Sequence, residues 1–283
     1  REYLYDGYAS HILGTVGPIY TEEWEYYNEL GYQMNAIVGK SGCEAAFENY
    51  LHGTDGKIRI KEDKNGNVIE TQVLSQPIAG NDVYLTIDIN LQIAAEDGLA
   101  ENVADVVERS QGLVENGAEC RSGAAVAMNP NTFEVLAIAS YPTYDLTSYN
   151  ADYNLLAQDP KQPLLNRALS GLYAPGSTFK PGMAAAALME GVITSSTLLE
   201  CAGTYTYYQS YQPDCWIYNS GGAVRSHGFL GATEALRVSC NCYFYEAGRL
   251  LGINNMNNYC RLFGLGESTG IELGESIGSL AGP

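Results

Sequence analysis

Nine residues, Tyr173 to Pro181, constrain the fold of this chain more than any others; they read Tyr-Ala-Pro-Gly-Ser-Thr-Phe-Lys-Pro. Pro175 and Gly176 make a turn, and the run Met183 to Met189, with four consecutive alanines, is strong helix-forming material. Pro181 lacks the N–H that would bond the carbonyl of Ser177, so Ser177 has to sit in the first, unpaired turn. On a helix, positions i and i+3 share a face, with Cβ atoms roughly 5–6 Å apart. Lys180 therefore lies over Ser177 and can take its proton, the help that a serine nucleophile needs. Backbone N–H groups at the helix mouth favour developing negative charge there. A Ser-x-x-Lys pair alone describes a solvated helix turn in most chains, so the pair needs context.

Context comes from Ser239-Cys240-Asn241, which lies between two predicted helices. A hydroxyl and a carboxamide two residues apart can face one cleft. Ser239 can relay a proton. Asn241 can hold a peptide carbonyl through its amide nitrogen and bond Lys180 through its oxygen. The plain alternative is helix capping, since Ser and Asn favour helix starts.

The net charge of −18 argues against nucleic acid and anionic membrane surfaces as partners. With 283 residues and 46% apolar content, the chain can build a large core and two domains. No apolar run reaches the roughly 18 residues of a membrane span. Seven cysteines, an odd number, leave at least one unpaired within the chain. Cys201 and Cys215 bracket the tyrosine-rich stretch 205–211 and are the candidates for a disulfide; the alternative is a pair of buried thiols. Cys240 and Cys242 read as helix-packing residues. There is no Cys-x-x-Cys, and His11, His52 and His227 are scattered, so no metal or other cofactor is expected.

Thr21 to Leu30 reads as a helix with Thr21 as its N-cap, and Lys57 to Ile69 as a hairpin turning at Asn65-Gly66. Residues 75–82 read as a linker and Val83 to Ile87 as a strand. A helix follows with Leu91, Ala95, Leu99, Val103 and Val106 on one stripe. Strands at 124–128 and 134–140 are joined by an Asn-Pro-Asn-Thr turn. Helices are expected at 177–190, 230–238, 242–251 and 253–263. The pattern is α+β.

Together these elements resemble the penicillin-binding transpeptidase family, whose signature is Ser-x-x-Lys, Ser-x-Asn and Lys-[Ser/Thr]-Gly. Residues 167–191 and 227–252 resemble that family over their whole lengths. Residues 81–99 and 125–145 resemble the start of its catalytic domain. The first 79 residues, especially 37–56, resemble the non-catalytic pedestal of its monofunctional class B members. The resemblance implies a penicillin-binding/serine β-lactamase-like domain at 80–283, a helical subdomain plus antiparallel sheet, preceded by a mixed α/β pedestal at 1–79. It implies Ser177 as acylated nucleophile, Lys180 as its base, Ser239 as proton shuttle and Asn241 as orienter of the donor peptide. The backbone N–H of Ser177 is then half of the oxyanion hole.

The implied reaction is peptidoglycan cross-linking by acyl transfer from D-Ala-D-Ala stem peptides, with β-lactams trapping the acyl-enzyme. The implied partners are stem peptides, glycan strands and a glycosyltransferase of wall synthesis. The implied location is the extracytoplasmic face of a bacterial membrane, with an anchor upstream of Arg1. No Lys follows Lys180, so the third motif is missing from its place. Lys40-Ser41-Gly42 precedes the nucleophile and is rejected as that motif. The expectation is a catalytic domain truncated at its C-terminal strands and impaired on its own, since losing one oxyanion donor costs about 10²–10³ in rate. The competing readings are a non-catalytic β-lactam sensor or wall-synthesis scaffold, and a serine β-lactamase.

Overall fold

The computed structural model describes residues 2–5, 7–111, 117–218 and 223–282. The chain forms two compact units: Arg1–Gly171 with Ile271–Glu275, and Leu172–Gly270 with Ser276–Pro283. Helices mix with four two-stranded antiparallel sheets, the α+β pattern expected.

In the first unit, α1 (Ser10–Leu13) and β1 (Val16–Pro18) are followed by α2 (Trp24–Glu29) and β2 (Ile37–Gly39), which pairs with β1. The helix expected from Thr21 starts differently: Thr21–Glu23 is a 3₁₀ turn and Tyr20 takes the cap position. The Glu23 carboxylate accepts the Tyr20 N–H at 2.9 Å, the reach-back of a capping box, which moves the start by one residue. Next come α3 (Gly42–Ala46), α4 (Glu48–Leu51) and the hairpin β3 (Lys57–Glu62) and β4 (Val68–Ser75). Asp63 Oδ1 accepts the N–H groups of Asn65 and Asn67 and shapes the hairpin turn, with Gly66 at φ +83°. Every residue of β3 and β4 is exposed.

Val83 to Ile87 is not a strand. The Thr86 hydroxyl donates to Val135 O and the Asp88 N–H to Leu136 O, isolated bonds that make no ladder. The expected long helix is α5 (Ile89–Arg109); the Asp88 carboxylate caps it by accepting the N–H groups of Asn90 and Leu91. It packs on β6 (Val135–Tyr141), which pairs with β5 (Gly123–Met128); α6 (Tyr149–Gln158) and α7 (Arg167–Ser170) complete the unit.

One buried side chain ties these parts together. Gln92 has no exposed surface. Its Nε2 donates to Ile138 O at 2.7 Å, and its Oε1 accepts the Ile138 N–H at 2.8 Å. The amide thus takes the place of a neighbouring strand's peptide group. Nε2 also donates to Glu96 Oε1, which accepts the Ala9 N–H at 2.8 Å, so α5 holds both β6 and the start of α1. Burial raises the Glu96 pKa, with these donors opposing the shift.

The second unit begins with a 3₁₀ turn, Gly176–Phe179, that runs straight into α8 (Lys180–Met189). It continues with β7 (Leu199–Cys201), β8 (Gly228–Leu230), α9 (Ala232–Arg237), α10 (Asn241–Leu251) and α11 (Ile253–Leu262). Strand β7 pairs with β8. The core joins Met183, Ala184, Ala186 and Ala187 of α8 to Tyr243, Phe244, Ala247 and Leu251 of α10. The alanines bring α8 close to α10, so the two helix starts that carry polar groups lie side by side. Among the described residues, no helix is long and apolar enough to cross a membrane.

Replacing Gln92 with Leu strands two backbone groups of Ile138 and removes one of the donors to Glu96. It is expected to cost about 2–4 kcal/mol, read as a drop in the urea midpoint. A loss below about 0.5 kcal/mol would show that water replaces the amide.

Candidate active site

Ser177 lies in the 3₁₀ turn ahead of α8 and is exposed. The local cause is Pro181. It offers no N–H to the Ser177 carbonyl, and the Lys180 N–H bonds that carbonyl instead, tightening the turn. Gly176, at φ +57° and with open space around it, supplies the left-handed residue that starts the turn.

Lys180 is half-buried, and all three of its hydrogen bonds run to the second motif. Nζ donates to Ser239 O at 2.8 Å, Ser239 Oγ at 3.0 Å and Asn241 Oδ1 at 2.7 Å. The Phe244 ring lies beneath it, 5.7 Å from Nζ to the centroid. Burial lowers the pKa of Lys180, while negative charge on Cys215 and Cys240 opposes the shift. The structure thus brings Lys180, Ser239 and Asn241 into direct contact and keeps Ser177 three residues away on the same lead-in.

Ser239 is not a helix cap of the kind its residue type favours. It stands at φ +50°, just past the end of α9. The Cys240 N–H bonds Ala235 O and the Ser239 N–H bonds Leu236 O, the paired bonds of a Schellman ending. Glycine usually fills that position, because a side chain there costs about 1–2 kcal/mol. The strained residue carries the hydroxyl that Lys180 contacts, and Asn241 opens α10 two residues later.

Cys240, between them, belongs to a cluster that sequence reading set aside. The ligand atoms of Cys201, Cys215, His227 and Cys240 all lie within 4.8 Å of one another. His227 Nδ1 is 3.6 Å from Cys201 Sγ and 3.5 Å from Cys215 Sγ, and Cys215 Sγ is 4.0 Å from Cys240 Sγ. The expected Cys201–Cys215 disulfide is absent, and both are free thiols. Pairing of β7 with β8 carries Cys201 toward His227, and the α9–α10 turn brings Cys240 to them, which no short spacing reveals.

The donor set suits a thiophilic cation. Ligands about 2.0–2.3 Å from a tetrahedral zinc stand about 3.5–3.8 Å apart; the two His227–thiol separations match this, and the cluster's overall 4.8 Å span is wider. Burial and the charge of Lys180 lower the His227 pKa, which favours the neutral, ligating imidazole. Burial alone would raise the Cys215 thiol, but N–H groups of Ile217, Asn241 and Cys242 bring it below the usual value. Burial pushes the Cys240 thiol up to about 12. An ion held by all four donors would have no open position, so its contribution would be structural.

Lys40-Ser41-Gly42 lies in the first unit. Lys40 pairs with Glu23 there, and Ser41 Oγ accepts the Thr15 N–H at 2.9 Å, so this tripeptide is occupied in holding its own unit.

Ser239→Gly and Ser239→Ala both delete the hydroxyl, but only alanine keeps the left-handed strain. The glycine variant is expected to be the more stable by about 1 kcal/mol, compared by urea denaturation; equal stability would mean the turn carries no strain. The unfolded chain keeps the Lys180 proton up to about pH 10.4. The folded protein releases it earlier, so within that window the unfolded state binds more protons and stability climbs with pH. Lys180→Met should lose this climb, and parallel pH curves for variant and parent would contradict the lowered pKa.

The penicillin binding protein transpeptidase domain family matches residues 123–282, and the penicillin-binding protein dimerisation domain family matches residues 1–85. The peptidoglycan D,D-transpeptidase MrdA of Acinetobacter baumannii is 33% identical over 290 residues, covering 100% of this chain and 39% of the relative. A solved structure described as "Structural coordination of polymerization and crosslinking by a peptidoglycan synthase complex" is 34% identical. It has a TM-score of 0.79 and covers 99% of this chain and 48% of its own. Pseudomonas aeruginosa PBP2 in complex with WCK 5153 is 30% identical, with a TM-score of 0.73 over 98% of this chain and 53% of that one. The chain spans about two fifths of the length of the curated relatives it matches. With the Ser177–Lys180 and Ser239–Asn241 motifs inside the matched region, the chain belongs to the penicillin-binding protein transpeptidase family.

Proposed function

We propose that this chain carries the acylation machinery of a peptidoglycan D,D-transpeptidase. The observation that carries this reading is the Lys180 ammonium, bonded at once to Ser239 O, Ser239 Oγ and Asn241 Oδ1, with an exposed Ser177 one 3₁₀ turn ahead. Residues 1–79 serve as a pedestal and 80–283 as the catalytic region.

In the first step Lys180, as the neutral amine, removes the proton from Ser177 Oγ. The oxygen attacks the carbonyl of the penultimate D-Ala in a stem peptide. Burial favours that neutral amine, since it disfavours the charge. The backbone N–H of Ser177 faces the developing oxyanion. Ser239 Oγ, in contact with Lys180 Nζ, relays the proton to the leaving D-Ala amine. Asn241 keeps its oxygen on Lys180 and offers its amide N–H groups to the donor peptide carbonyl. An amine on a neighbouring strand then takes the acyl group, and a β-lactam stops the cycle at the acyl-enzyme.

The substrates are stem peptides on glycan strands, the natural companion is a glycosyltransferase that polymerises them, and the site of action is the extracytoplasmic face of the membrane. The scaffold reading leaves the Lys180 cradle without a purpose, whereas a β-lactam sensor shares its acylation step.

The test is penicillin labelling of the segment together with whatever sequence flanks it in its gene. One covalent adduct is expected, on Ser177, and absent in Ser177→Ala. Lys180→Ala should slow its formation by about 10²–10⁴-fold. Labelling elsewhere, or unchanged labelling of Lys180→Ala, would end the assignment.

A further inference from the structure

We propose that Trp216 is a positioning residue for the second motif: its indole N–H holds the Val238 carbonyl and so fixes the peptide unit that directs Ser239 toward Lys180. The consequence for catalysis rests on the reading of Ser239 given above; the geometry does not.

The two peptide units that flank the Ser239 Cα are each held at both ends. In the unit before it, the Ser239 N–H donates to Leu236 O at 3.1 Å, and the Val238 carbonyl accepts the Trp216 Nε1–H at 2.9 Å. In the unit after it, the Cys240 N–H donates to Ala235 O at 2.9 Å, and the Ser239 carbonyl accepts from Lys180 Nζ at 2.8 Å. Four bonds therefore set the two backbone torsions of Ser239. Two of them are the helix-ending bonds of α9. The other two come from side chains distant in sequence, Lys180 and Trp216, and only Lys180 belongs to the proposed chemistry.

The strain at Ser239 makes the fourth bond consequential. A residue with a side chain stays at φ +50° only while its surroundings over-determine it. The torsion φ relates the peptide unit 238–239 to the Ser239 Cβ, so two fixed units fix the direction in which that side chain leaves the backbone. Its Oγ, 3.0 Å from Lys180 Nζ, is aimed by this arrangement. With the indole N–H gone, the first unit is held only by its bond to Leu236 O. The Ser239 hydroxyl is then directed by one firmly held unit instead of two.

Trp216 is itself well placed for this work. Val238 caps the end of α9, where carbonyls lack helical partners, and the indole satisfies that one. The backbone on either side of Trp216 is anchored: the Cys215 N–H donates to Gly203 O at 2.7 Å, and the Tyr218 N–H to Cys215 O at 2.9 Å. Thr204 and Asp214 bridge the same loop just before it. The ring is 55% exposed and tilts against His227, so packing accounts for little of its orientation, while its one polar atom is bonded to the turn.

The test is Trp216→Phe, which keeps a ring beside His227 and deletes the N–H. In the full chain, hydrogen exchange of the Ser239 amide should quicken about fivefold, the effect of losing one hydrogen bond, with the α8 amides of Ala186 and Ala187 unchanged. In the segment with its flanking gene sequence, the acylation rate at saturating penicillin should fall about fivefold. The half-saturating concentration and the labelled fraction should stay the same; a merely structural defect would lower the labelled fraction instead. Because Trp216 acts through Ser239, adding Trp216→Phe to Ser239→Ala should slow acylation no further. A variant that exchanges and acylates like the parent would show that water replaces the indole and would overturn the proposal, as would losses that multiply in the double variant. If the parent gives no adduct on Ser177, the catalytic reading fails, and exchange of the Ser239 amide still decides whether Trp216 holds the turn.

Discussion

The ammonium of Lys180 and its three acceptors are the interaction on which the rest of the second unit depends. A half-buried amine has to be met by oxygens, because an unpaired charge there costs several times what a surface charge does. The oxygens come from the turn between α9 and α10. They arrive in position because the alanines of α8 let it lie close to α10, with Tyr243 and Phe244 sealing the contact. Packing of small residues thus sets a polar geometry, and the polar geometry sets the chemistry.

Strain sits where the candidate site presents a hydroxyl to Lys180. Ser239 occupies a left-handed position that glycine fills at less cost, and its hydroxyl lies 3.0 Å from Lys180 Nζ. Gly176 serves the other motif, where no side chain is needed and the left-handed backbone comes free of Cβ contacts. One turn uses glycine for freedom, while the other accepts strain for a hydroxyl. The thiol cluster stands directly behind the strained turn, and Cys215 accepts the N–H of Asn241, so the cluster is part of the second motif's support.

Much of this was legible in the residues. Ser177, Lys180, Ser239 and Asn241 were readable because each motif is local: a turn-forming Pro-Gly, an alanine run and a residue triplet between helices. The bond from Lys180 to the Asn241 oxygen was readable from the inventory of donors and acceptors. Helix spans were accurate to within two or three residues, since periodicity and glycine punctuation are local signals as well. The strand at 83–87 failed because β propensity is a preference for a half-buried surface, and only isolated bonds reach β6 there. Thr21 failed as a cap because the Glu23 carboxylate reaches back to Tyr20.

The sequence by itself determined the turn before α8, the residue types of the candidate site and the family, because these depend on bonds within a few residues. Only tertiary structure decided what Lys180 touches, that Ser239 ends a helix rather than starting one, and that Cys201 and Cys215 do not pair. It alone brought Cys201, Cys215, His227 and Cys240 within 4.8 Å of one another. Their separations in sequence carry no periodicity, and their meeting comes from strand pairing and a helix–helix turn, both long-range.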